Sequence, residues 1–339
     1  MHTISAIIVN YDGIDCVKDC IDSLKRQTMA GEMEIIVVDN DSKDGSLGLI
    51  KRSFADVKVV EMGYNAGWGV ACNAGINASG GRYLVMLNND IYLDNRCVEE
   101  MVKAVELDER YGSCASRVLL WEDHKKTEVA GVVLYPDGLS VARGRLEPAD
   151  RYKKLEEVFC ASDCCCLFRR EMIEEIGGYD TDFFIYADDT DIGWKHRIAG
   201  WRCVYAPEAV SYHKHSHKSG GYSSFKAFHV ERNRLYICIK YFPIPSLIAG
   251  VFFSAYRYIF QFFTAVFGHK GAFCEYRKGH SFMEGIGIIL KAYWCAIRNF
   301  GLFWEKRQAL KRIKRISNSE IHNLIRRFSI TTREIARYE

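Results

Sequence analysis

The stretch MEIIVVDNDSKDGS, residues 33–46, decides the fold class. Its first half is a continuous apolar run rich in β-branched side chains, which is typical of a strand buried on both faces. Its second half contains Asp, Asn, Ser and Gly, the residues that form turns and begin helices. The stretch therefore predicts one strand-turn-helix unit of an α/β protein.

The sequence on both sides of this stretch repeats the same alternation. Strands are predicted at 4–11, 33–40, 57–62 and 82–90, and helices at 15–27, 43–54 and 66–78. Buried strands that alternate with helices predict a mostly parallel central sheet with helices on both faces. Residues 112–142 instead predict an antiparallel hairpin around a Pro136-Asp137-Gly138 turn. Further on, a strand is predicted at 163–168, a helix at 169–180 and a strand at 201–207.

Composition excludes several classes of protein. The 339 residues are 48% hydrophobic, enough for a full core, and a net charge of +3 without a recognition motif argues against nucleic acid as a partner. The 13 cysteines contain no CxxC pair and no regular spacing, which argues against structural zinc and disulfides and favours the cytoplasm. The N-terminus lacks a basic region before its apolar run, so no signal peptide is predicted.

The final third of the chain has a different character, which predicts an α/β domain at 1–240 and a helical region at 241–339. Segments 245–268 and 282–303 are strongly apolar but contain charges such as Arg257, and 306–315 holds six basic residues. This pattern favours amphipathic helices that lie on the inner face of the cell membrane as a peripheral anchor. A helical lid, a homo-oligomer interface and true membrane spanning remain alternatives.

Polar side chains follow each of the four predicted parallel strands. The clusters are Asn10-Tyr11-Asp12, Asp39-Asn40-Asp41-Ser42, the loop GYNAGWG at 63–69, and Asn88-Asn89-Asp90. Ligands of open α/β sheets bind at the carboxyl ends of the strands, so these side chains predict a binding site. No GxGxxG or GxxxxGK[ST] motif is present, which argues against dinucleotide folds and P-loop NTPases.

Asp90 and His213 are candidate ligands of a divalent cation. A carboxylate at a strand end suits Mg²⁺ or Mn²⁺, and a diphosphate would complete the coordination. His213, His215 and His217 alternate along one segment, so a zinc cluster and surface histidines are the alternatives to a single ligand. The adjacent segment 218–221 suits a loop that closes over phosphates.

Three carboxylates, Asp188, Asp189 and Asp191, stand within four positions of the segment FFIYADDTDIGWKHRIAGW at 183–201. Like charges this close repel one another. A helix start explains part of the pattern, since Asp189 would be an N-cap and Asp191 would lie in the first turn. The helix dipole would also keep Asp189 ionised at neutral pH.

These motifs together resemble the inverting family 2 glycosyltransferases, and especially their rhamnosyltransferase-like branch. The resemblance covers roughly residues 3–235 and rests on an ordered set: VNYD, VVDNDSKDGS, GYNAGWGVACNAGI, LNND and GGYDTDFFIYADDTDIGWKHRIAGW. It implies the GT-A nucleotide-diphospho-sugar transferase fold, a nucleoside-diphosphate sugar donor, and Mn²⁺ or Mg²⁺ as cofactor.

The resemblance also implies roles for individual residues. Asn10, Tyr11 and Asp39 would hold the nucleoside, and Asp39 would accept from a pyrimidine N3–H. Asn65 and Asn88 would help to bind the nucleotide. Asp90 and His213 would bind the metal.

The same resemblance implies a catalytic role for the carboxylate cluster at 188–191. Asp189 matches the general base, and Asp188 replaces the usual Glu beside it and would face the acceptor. Asn88 replaces the first Asp of the family's DxD motif and cannot bind metal as an anion. The predicted reaction moves a sugar from a UDP- or dTDP-sugar to a hydroxyl of a saccharide during assembly of surface polysaccharide. Rhamnose is the favoured sugar, and a lipid-linked saccharide is the favoured acceptor. A non-catalytic sugar-nucleotide or polysaccharide binding protein and a nucleotidyltransferase are the alternatives.

Overall fold

The computed structural model describes residues 2–214, 223–267 and 279–338. Its first part alternates strand and helix as predicted, because apolar runs form buried strands and the polar turns between them begin helices. The elements are β1 (Ile4–Asn10), α1 (Val17–Lys25), β2 (Met33–Asp39), α2 (Ser46–Ser53), β3 (Lys58–Glu61), α3 (Trp68–Ala78) and β4 (Tyr83–Asn88).

The second part adds strands of three to twelve residues and three helices. They are β5 (Ile91–Leu93), α4 (Cys97–Val105), β6 (Tyr111–Leu120), β7 (Thr127–Val129), β8 (Val132–Leu134), β9 (Ser140–Ala142), β10 (Glu156–Val158), β11 (Cys165–Arg169), α5 (Arg170–Ile176), α6 (Asp188–Ile198) and β12 (Arg202–His213). The C-terminal helices are α7 (Ser224–Tyr241), α8 (Ile244–Phe267), α9 (Phe282–Arg298), α10 (Phe300–Leu310), α11 (Asn318–Phe328) and α12 (Thr332–Tyr338).

One sheet organises the α/β part, with strand order β10-β12-β6-β11-β4-β1-β2-β3. Strands β4, β1, β2 and β3 are mutually parallel, and β11 runs antiparallel between β4 and β6. Asn10 pairs in register with Asp39, and Val9 pairs with Asn88. The polar ends of three neighbouring strands therefore meet at one edge of the sheet.

The hairpin predicted over 112–142 is wrong in part. The end of strand β6 does pair antiparallel with β7 within this range, but β6 is also an interior strand of the sheet, parallel to β12 and antiparallel to β11. The turn itself is confirmed, since the Tyr135 N–H donates to the Leu139 carbonyl at 2.7 Å and β8 pairs with β9.

The chain divides into two compact units. The first comprises Met1–Val132, Ala142–Arg197 and Trp201–Lys218, and the second comprises Val133–Val141, Ile198–Gly200 and Ser219–Glu339. The β8–β9 turn thus belongs with the C-terminal helices. The predicted functional boundary at residue 240 stays a prediction.

Apolar side chains on both faces of the strands of the first unit are buried, for example Ile8 on one face of β1 and Ile7 on the other. Eleven of the twelve free cysteines in the described part of the chain are buried, among them Cys164, Cys165 and Cys166. These thiols pack as small apolar groups, as the sequence predicts.

The second unit contains a buried charge cluster, which consists of Asp137, Glu231, Arg234 and Arg257. The Arg257 Nε–H donates to Asp137 Oδ2 at 2.8 Å, and a second guanidinium nitrogen lies 3.3 Å from Glu231 Oε2. Arg234 donates to Glu231 and, at 3.0 Å, to the Asp137 carbonyl. All four residues are less than 10% exposed, so two buried acids are matched by two buried guanidinium groups.

Candidate active site

Asn10 organises the edge of the sheet where β1 and β2 end. Its side chain is fully buried, and its Nδ2 lies 3.0 Å from Asp39 Oδ1 and also within reach of the Ser42 and Ser46 hydroxyls. The Ser42 N–H donates to the other Asp39 oxygen at 3.1 Å. Asn10 therefore orients the Asp39 carboxylate. The contact predicted between Asn10 and a nucleoside stays a prediction.

A second asparagine, Asn40, attaches the 63–69 loop to the end of β2. Asn40 Nδ2 donates to Asn65 Oδ1 at 3.1 Å, and its own Oδ1 accepts from the Ala66 N–H at 2.9 Å. In the sequence, Asn40 stands in a polar strand end, but no role of its own was assigned to it. The exposed Asn65 is thereby placed at the same edge as Asp39.

Backbone geometry at this edge is unusual in two places. Asp12 and Asp41, each two residues beyond the ends of β1 and β2, have φ values of 50° and 71°. Non-glycine residues in this left-handed region are uncommon, and they concentrate at functional sites. Tyr11 lies next to Asp12 and is 49% exposed, which leaves its ring available to a ligand.

The end of β4 supplies Asn88, Asn89 and Asp90. Asn88 is half-buried, and Asn89 Nδ2 donates to Asn10 Oδ1 at 2.9 Å. Asp90 Oδ1 lies 3.1 Å from His213 Nε2 because β12 pairs antiparallel with β5 and sets His213 opposite Ile91. The structure thus brings together two residues that are far apart in sequence and were both predicted as metal ligands.

The Asp90–His213 pair offers one carboxylate oxygen and one imidazole nitrogen. Within the described ranges, no group of three or more His, Cys, Asp or Glu side chains could hold a metal ion. His215, His217 and segment 218–221 lie outside the described residues. The pair fits a divalent cation that takes its remaining ligands from a diphosphate and water.

The loop before α6 has a strained backbone. Phe184, Tyr186 and Ala187 have φ values of 69°, 67° and 61°. The Phe184 carbonyl accepts from the Trp68 N–H at 2.6 Å, and a Cβ at Gly67 would lie 2.4 Å from that same oxygen. Only glycine fits at position 67, so the close approach fixes this loop against the start of α3.

Asp189 does not have the N-cap position predicted for it. Helix α6 begins at Asp188, and Asp189 Oδ1 accepts from the Thr190 N–H at 2.7 Å and from the Thr190 hydroxyl at 3.1 Å. The left-handed loop ends at Ala187, and the helix begins two residues earlier than an N-cap at Asp189 would require. Asp191 lies in the first turn, as predicted.

Burial raises the pKa of the carboxyl groups of Asp188 and Asp189, whereas the helix dipole would lower it. Burial raises the pKa of Asp189, and its hydrogen bonds with Thr190 only partly offset that effect. Burial, followed by the charges of neighbouring acids, raises the pKa of Asp188 well above its usual range. In the described part of the chain, Asp188 Oδ1 is buried without a hydrogen-bond partner. The expectation that the helix start sets the protonation of Asp189 is therefore too simple.

Sequence reasoning missed a fourth acid, Asp163, which lies just before β11 and is 7% exposed. The Trp68 Nε1–H donates to its Oδ2 at 3.0 Å, and the Tyr179 hydroxyl donates to its Oδ1 at 2.8 Å. Burial and then the charge of Asp189 raise the pKa of Asp163 to about 8. A lone Asp at the head of a buried cysteine-rich strand was the available signal.

Known proteins resemble the chain in sequence and in fold. The sequence profile described as Glycosyl transferase family 2 matches residues 5–177, just over half of the chain. The chain belongs to glycosyl transferase family 2. The matched segment includes Asn10, Asp39, Asn65 and Asp90, and the predicted family is confirmed.

Curated relatives of this family 2 glycosyltransferase share about a quarter of its residues. An uncharacterized protein y4gI of Sinorhizobium fredii is 26% identical over 64% of this chain and 25% of its own length. The N-acetylglucosaminyl-diphospho-decaprenol L-rhamnosyltransferase of Mycobacterium tuberculosis is 24% identical over 56% of this chain and 68% of its own length. The chain thus spans only a quarter of the first relative and about two thirds of the second.

Solved structures similar to this family 2 glycosyltransferase have the same fold. A structure of GalNAc-T7 with UDP, GalNAc and Mn²⁺ has a TM-score of 0.59 at 16% identity, covering 72% of this chain and 49% of that one. A Pyrobaculum calidifontis mannosyltransferase in complex with GDP-Man and Mn²⁺ has a TM-score of 0.53 at 18% identity, covering 92% and 85%. The predicted α/β GT-A fold is confirmed.

Proposed function

We propose that the chain is an inverting glycosyltransferase that uses a UDP- or dTDP-sugar. The observation that supports this most directly is the convergence of Asp39 and the Asp90–His213 pair at the edge where β1, β2 and β4 end. The loop that leads to Asp189 is joined to the start of α3 by the bond from the Trp68 N–H to the Phe184 carbonyl. Transfer of a sugar by a single displacement requires a group that binds the donor, a metal site and a base. The candidates for these three are Asp39, the Asp90–His213 pair and Asp189.

The donor would bind across the ends of β1 and β2. Asp39 has its carboxylate held by Asn10 and Ser42, which leaves lone pairs for a pyrimidine N3–H. Tyr11 would lie against the base, and Asn65 and Asn88 would contact ribose or water on the nucleotide. UDP and dTDP carry the same N3–H donor, so Asp39 accepts either nucleotide.

Asp90 and His213 would hold Mn²⁺ or Mg²⁺, as is also consistent with the Mn²⁺ in both of the similar structures. When bound, the cation would supply positive charge opposite the departing diphosphate. The pairing of β5 with β12 orients the Asp90 carboxylate and the His213 imidazole toward each other.

Asp189 would take the proton from the acceptor hydroxyl as the new glycosidic bond forms. Inverting transfer is one in-line step, so a single positioned carboxylate suffices as base. Asp188, next to it at the start of α6, would contact the acceptor. The raised pKa of Asp189 makes it a better proton acceptor when ionised, provided that the pH lies above that pKa.

Rhamnose and a lipid-linked saccharide are the favoured donor sugar and acceptor, in assembly of a bacterial surface polysaccharide. The Mycobacterium relative is named for rhamnosyl transfer to a decaprenol-linked sugar, and it supports this proposal at 24% identity. A donor screen tests it: thermal shift with Mn²⁺ and UDP-, dTDP- and GDP-sugars, followed by transfer assays. Stabilisation by GDP-sugars alone would contradict the assigned role of Asp39.

Chelation of divalent cations is expected to stop the transfer. With EDTA present, activity should fall at least about tenfold, and added Mn²⁺ or Mg²⁺ should restore it. Asp90→Ala should lose both the activity and this restoration, whereas Asp123→Ala, an exposed-loop control, should retain them. Full activity in chelator would remove the metal role of Asp90 and His213.

We also propose that the C-terminal helices lie on the cytoplasmic face of the cell membrane. The segment Ile244–Phe263 is long and apolar enough to span a membrane, and α9 with α10 passes the same criterion as a pair bent by 59°. An exposed apolar stripe runs along α8 through Ile248, Phe252, Tyr256, Ile259 and Phe263.

The buried charge cluster favours a helix that lies on the membrane over one that crosses it. Arg257 stands near the middle of α8 and points inward to Asp137 and Glu231, so it does not interrupt the exposed stripe. A spanning α8 would carry all four charges toward the bilayer centre, which is costly. Basic residues at 306–315 would attract anionic lipid headgroups.

Charges placed on the exposed stripe are expected to abolish membrane binding. Phe252→Glu combined with Ile259→Glu should lower co-sedimentation with phosphatidylglycerol-containing liposomes at least about tenfold, because the charges oppose burial in the acyl region. Leu107→Glu, at an equally exposed site of the first unit, is the matched control. Undiminished binding by the double variant would contradict this surface. Ending the chain near 240 is a poorer test because it also removes Arg257.

A further inference from the structure

The segment 178–187 leads from the end of α5 to the acids at the start of α6, and the side chain of Asn73 on α3 binds its backbone. Asn73 Nδ2 donates to the Tyr179 carbonyl at 3.0 Å, and Asn73 Oδ1 accepts from the Tyr179 N–H at 2.9 Å. A side chain needs a donor and an acceptor together to make this pair of bonds, and asparagine has both.

Helix α6 contributes to the same contact from its own side. The Lys195 ammonium group, which is 8% exposed, donates to the Gly178 carbonyl at 2.7 Å. Gly178 has a φ of 67°, and a Cβ there would lie 2.6 Å from Asn73 Oδ1. Glycine at position 178 therefore allows the backbone to approach Asn73 closely, and residues 178 and 179 are bound to α3 and α6 at once.

The other end of the segment has a backbone that needs support from its surroundings. Phe184, Tyr186 and Ala187 are in the left-handed region, which is unfavourable for residues other than glycine and persists only where surrounding contacts hold it. The Trp68 N–H donates to the Phe184 carbonyl and so holds this end. Together with the Asn73 contact, this bond fixes the segment at two places before the chain enters α6.

The two ends of α6 are held by different contacts. In the last turn, Arg197 donates to Glu157 Oε1 at 2.6 Å and to the Phe159 carbonyl at 2.8 Å. The first turn, which contains Asp189, follows directly from the segment that Asn73 holds. Loss of the Asn73 contact should therefore displace the first turn and leave the last turn in place.

We propose that Asn73 is a positioning residue for Asp189. This inference rests on the proposed glycosyl transfer and on Asp189 as its base. Asn73 acts through the backbone of Tyr179 and leaves the proton transfer to Asp189. A displacement of about 1 Å at a reacting group can lower a rate by about 10²-fold, so a hydrogen-bonded pair at this distance from the base can determine kcat.

Asn73→Leu, which is close to asparagine in size but has neither hydrogen-bonding group, is expected to lower kcat about ten- to a hundredfold. The calorimetric Kd of the sugar nucleotide that gives the largest thermal shift in the donor screen should change by less than about twofold, because the displaced turn carries the base and not the donor site. The control is Asn77→Leu, at an exposed site one turn further along α3. An unchanged kcat in Asn73→Leu, or an equal loss in Asn77→Leu, would overturn the proposal.

Two neighbouring glycines test the contact from its other side, even if Asn73→Leu does not fold. Gly177 and Gly178 are both left-handed, with φ values of 76° and 67°, so alanine strains the backbone at either position. The added methyl would meet Asn73 at 178, whereas no atom of the described residues lies within 4 Å of a Cβ at 177. Gly178→Ala should lower kcat at least about fivefold more than Gly177→Ala. Equal losses in the two variants would count against the inference.

Combination with Asp189→Asn separates positioning from a general structural role. If Asn73 acts only through the base, Asn73→Leu should change the remaining kcat of Asp189→Asn by less than about twofold. A general structural role would lower that remaining activity by the same factor as in the wild-type protein, and this result would contradict the proposal.

Hydrogen exchange distinguishes a failure of this inference from a failure of the proposed function. In Asn73→Leu, peptides that contain Tyr179 and the first turn of α6 should exchange at least about tenfold faster, while peptides of β4 stay unchanged. If this change appears but the wild-type protein turns over no sugar nucleotide, Asn73 holds the segment and the proposed function is wrong. If exchange in the segment is unchanged, Asn73 does not hold it and the inference is wrong.

Discussion

Asp189→Asn is expected to lower kcat for sugar transfer by about 10²- to 10⁴-fold while donor binding remains within about twofold. The amide cannot accept the acceptor's proton, yet it has the size of the carboxylate and can still accept from the Thr190 N–H and hydroxyl. Transfer kinetics and calorimetric binding of the donor measure the two parts separately.

The control for this variant is Asp182→Asn, in the same loop but exposed to solvent. It removes one negative charge near the site without touching the proposed base, so its kcat should be close to that of the wild-type protein. Normal turnover by Asp189→Asn would remove the base assignment, and equal losses in both variants would show that overall charge, rather than proton transfer, is responsible.

Arg257→Met is expected to destabilise the C-terminal unit by about 3–5 kcal/mol. The substitution leaves Asp137 and Glu231 buried with Arg234 as their remaining guanidinium, an excess of one negative charge away from water. Urea denaturation followed by circular dichroism measures the effect. Exposed Arg298→Met is the matched control and should leave the midpoint nearly unchanged.

The same cluster predicts how stability depends on pH. Burial alone would raise the pKa of Glu231, but Arg234 and Arg257 outweigh it and lower that pKa to about 2. A folded pKa below the unfolded value means that the stabilisation is present above about pH 4.5 and is lost as the pH falls toward 2. Arg257→Met should weaken this acid dependence, and an unchanged acid profile would contradict the pairing.

The parallel half of the sheet could be predicted from sequence because each strand is a continuous apolar run between polar turns. The place of strand β6 in the sheet could not, since β11 and β12 are separated from it by tens of residues and the apolar pattern does not encode pairing; only its short pairing with β7 is local. A sequence pattern reports only on residues close together in the chain, so a local hairpin was the simplest strand pairing that it could predict.

In the candidate site, too, residues placed by local sequence could be predicted, whereas residues that depend on distant segments could not. Asn10, Asp39 and Asp90 follow strands, so their positions were predictable from order alone. Asp163 was not, because its importance comes from Trp68 and Tyr179, which approach it from other segments. Likewise the inward orientation of Arg257 depends on Asp137, more than a hundred residues earlier.

The antiparallel insertion of β11 has a consequence for folding during synthesis. The four parallel strands are complete once residue 88 has emerged, yet the strand that covers the open edge of β4 begins only at residue 165. At roughly 5–20 residues per second, that apolar edge waits on the order of ten seconds for its partner. An exposed strand edge invites pairing with other chains. Newly made chains should therefore depend on chaperones most during this interval.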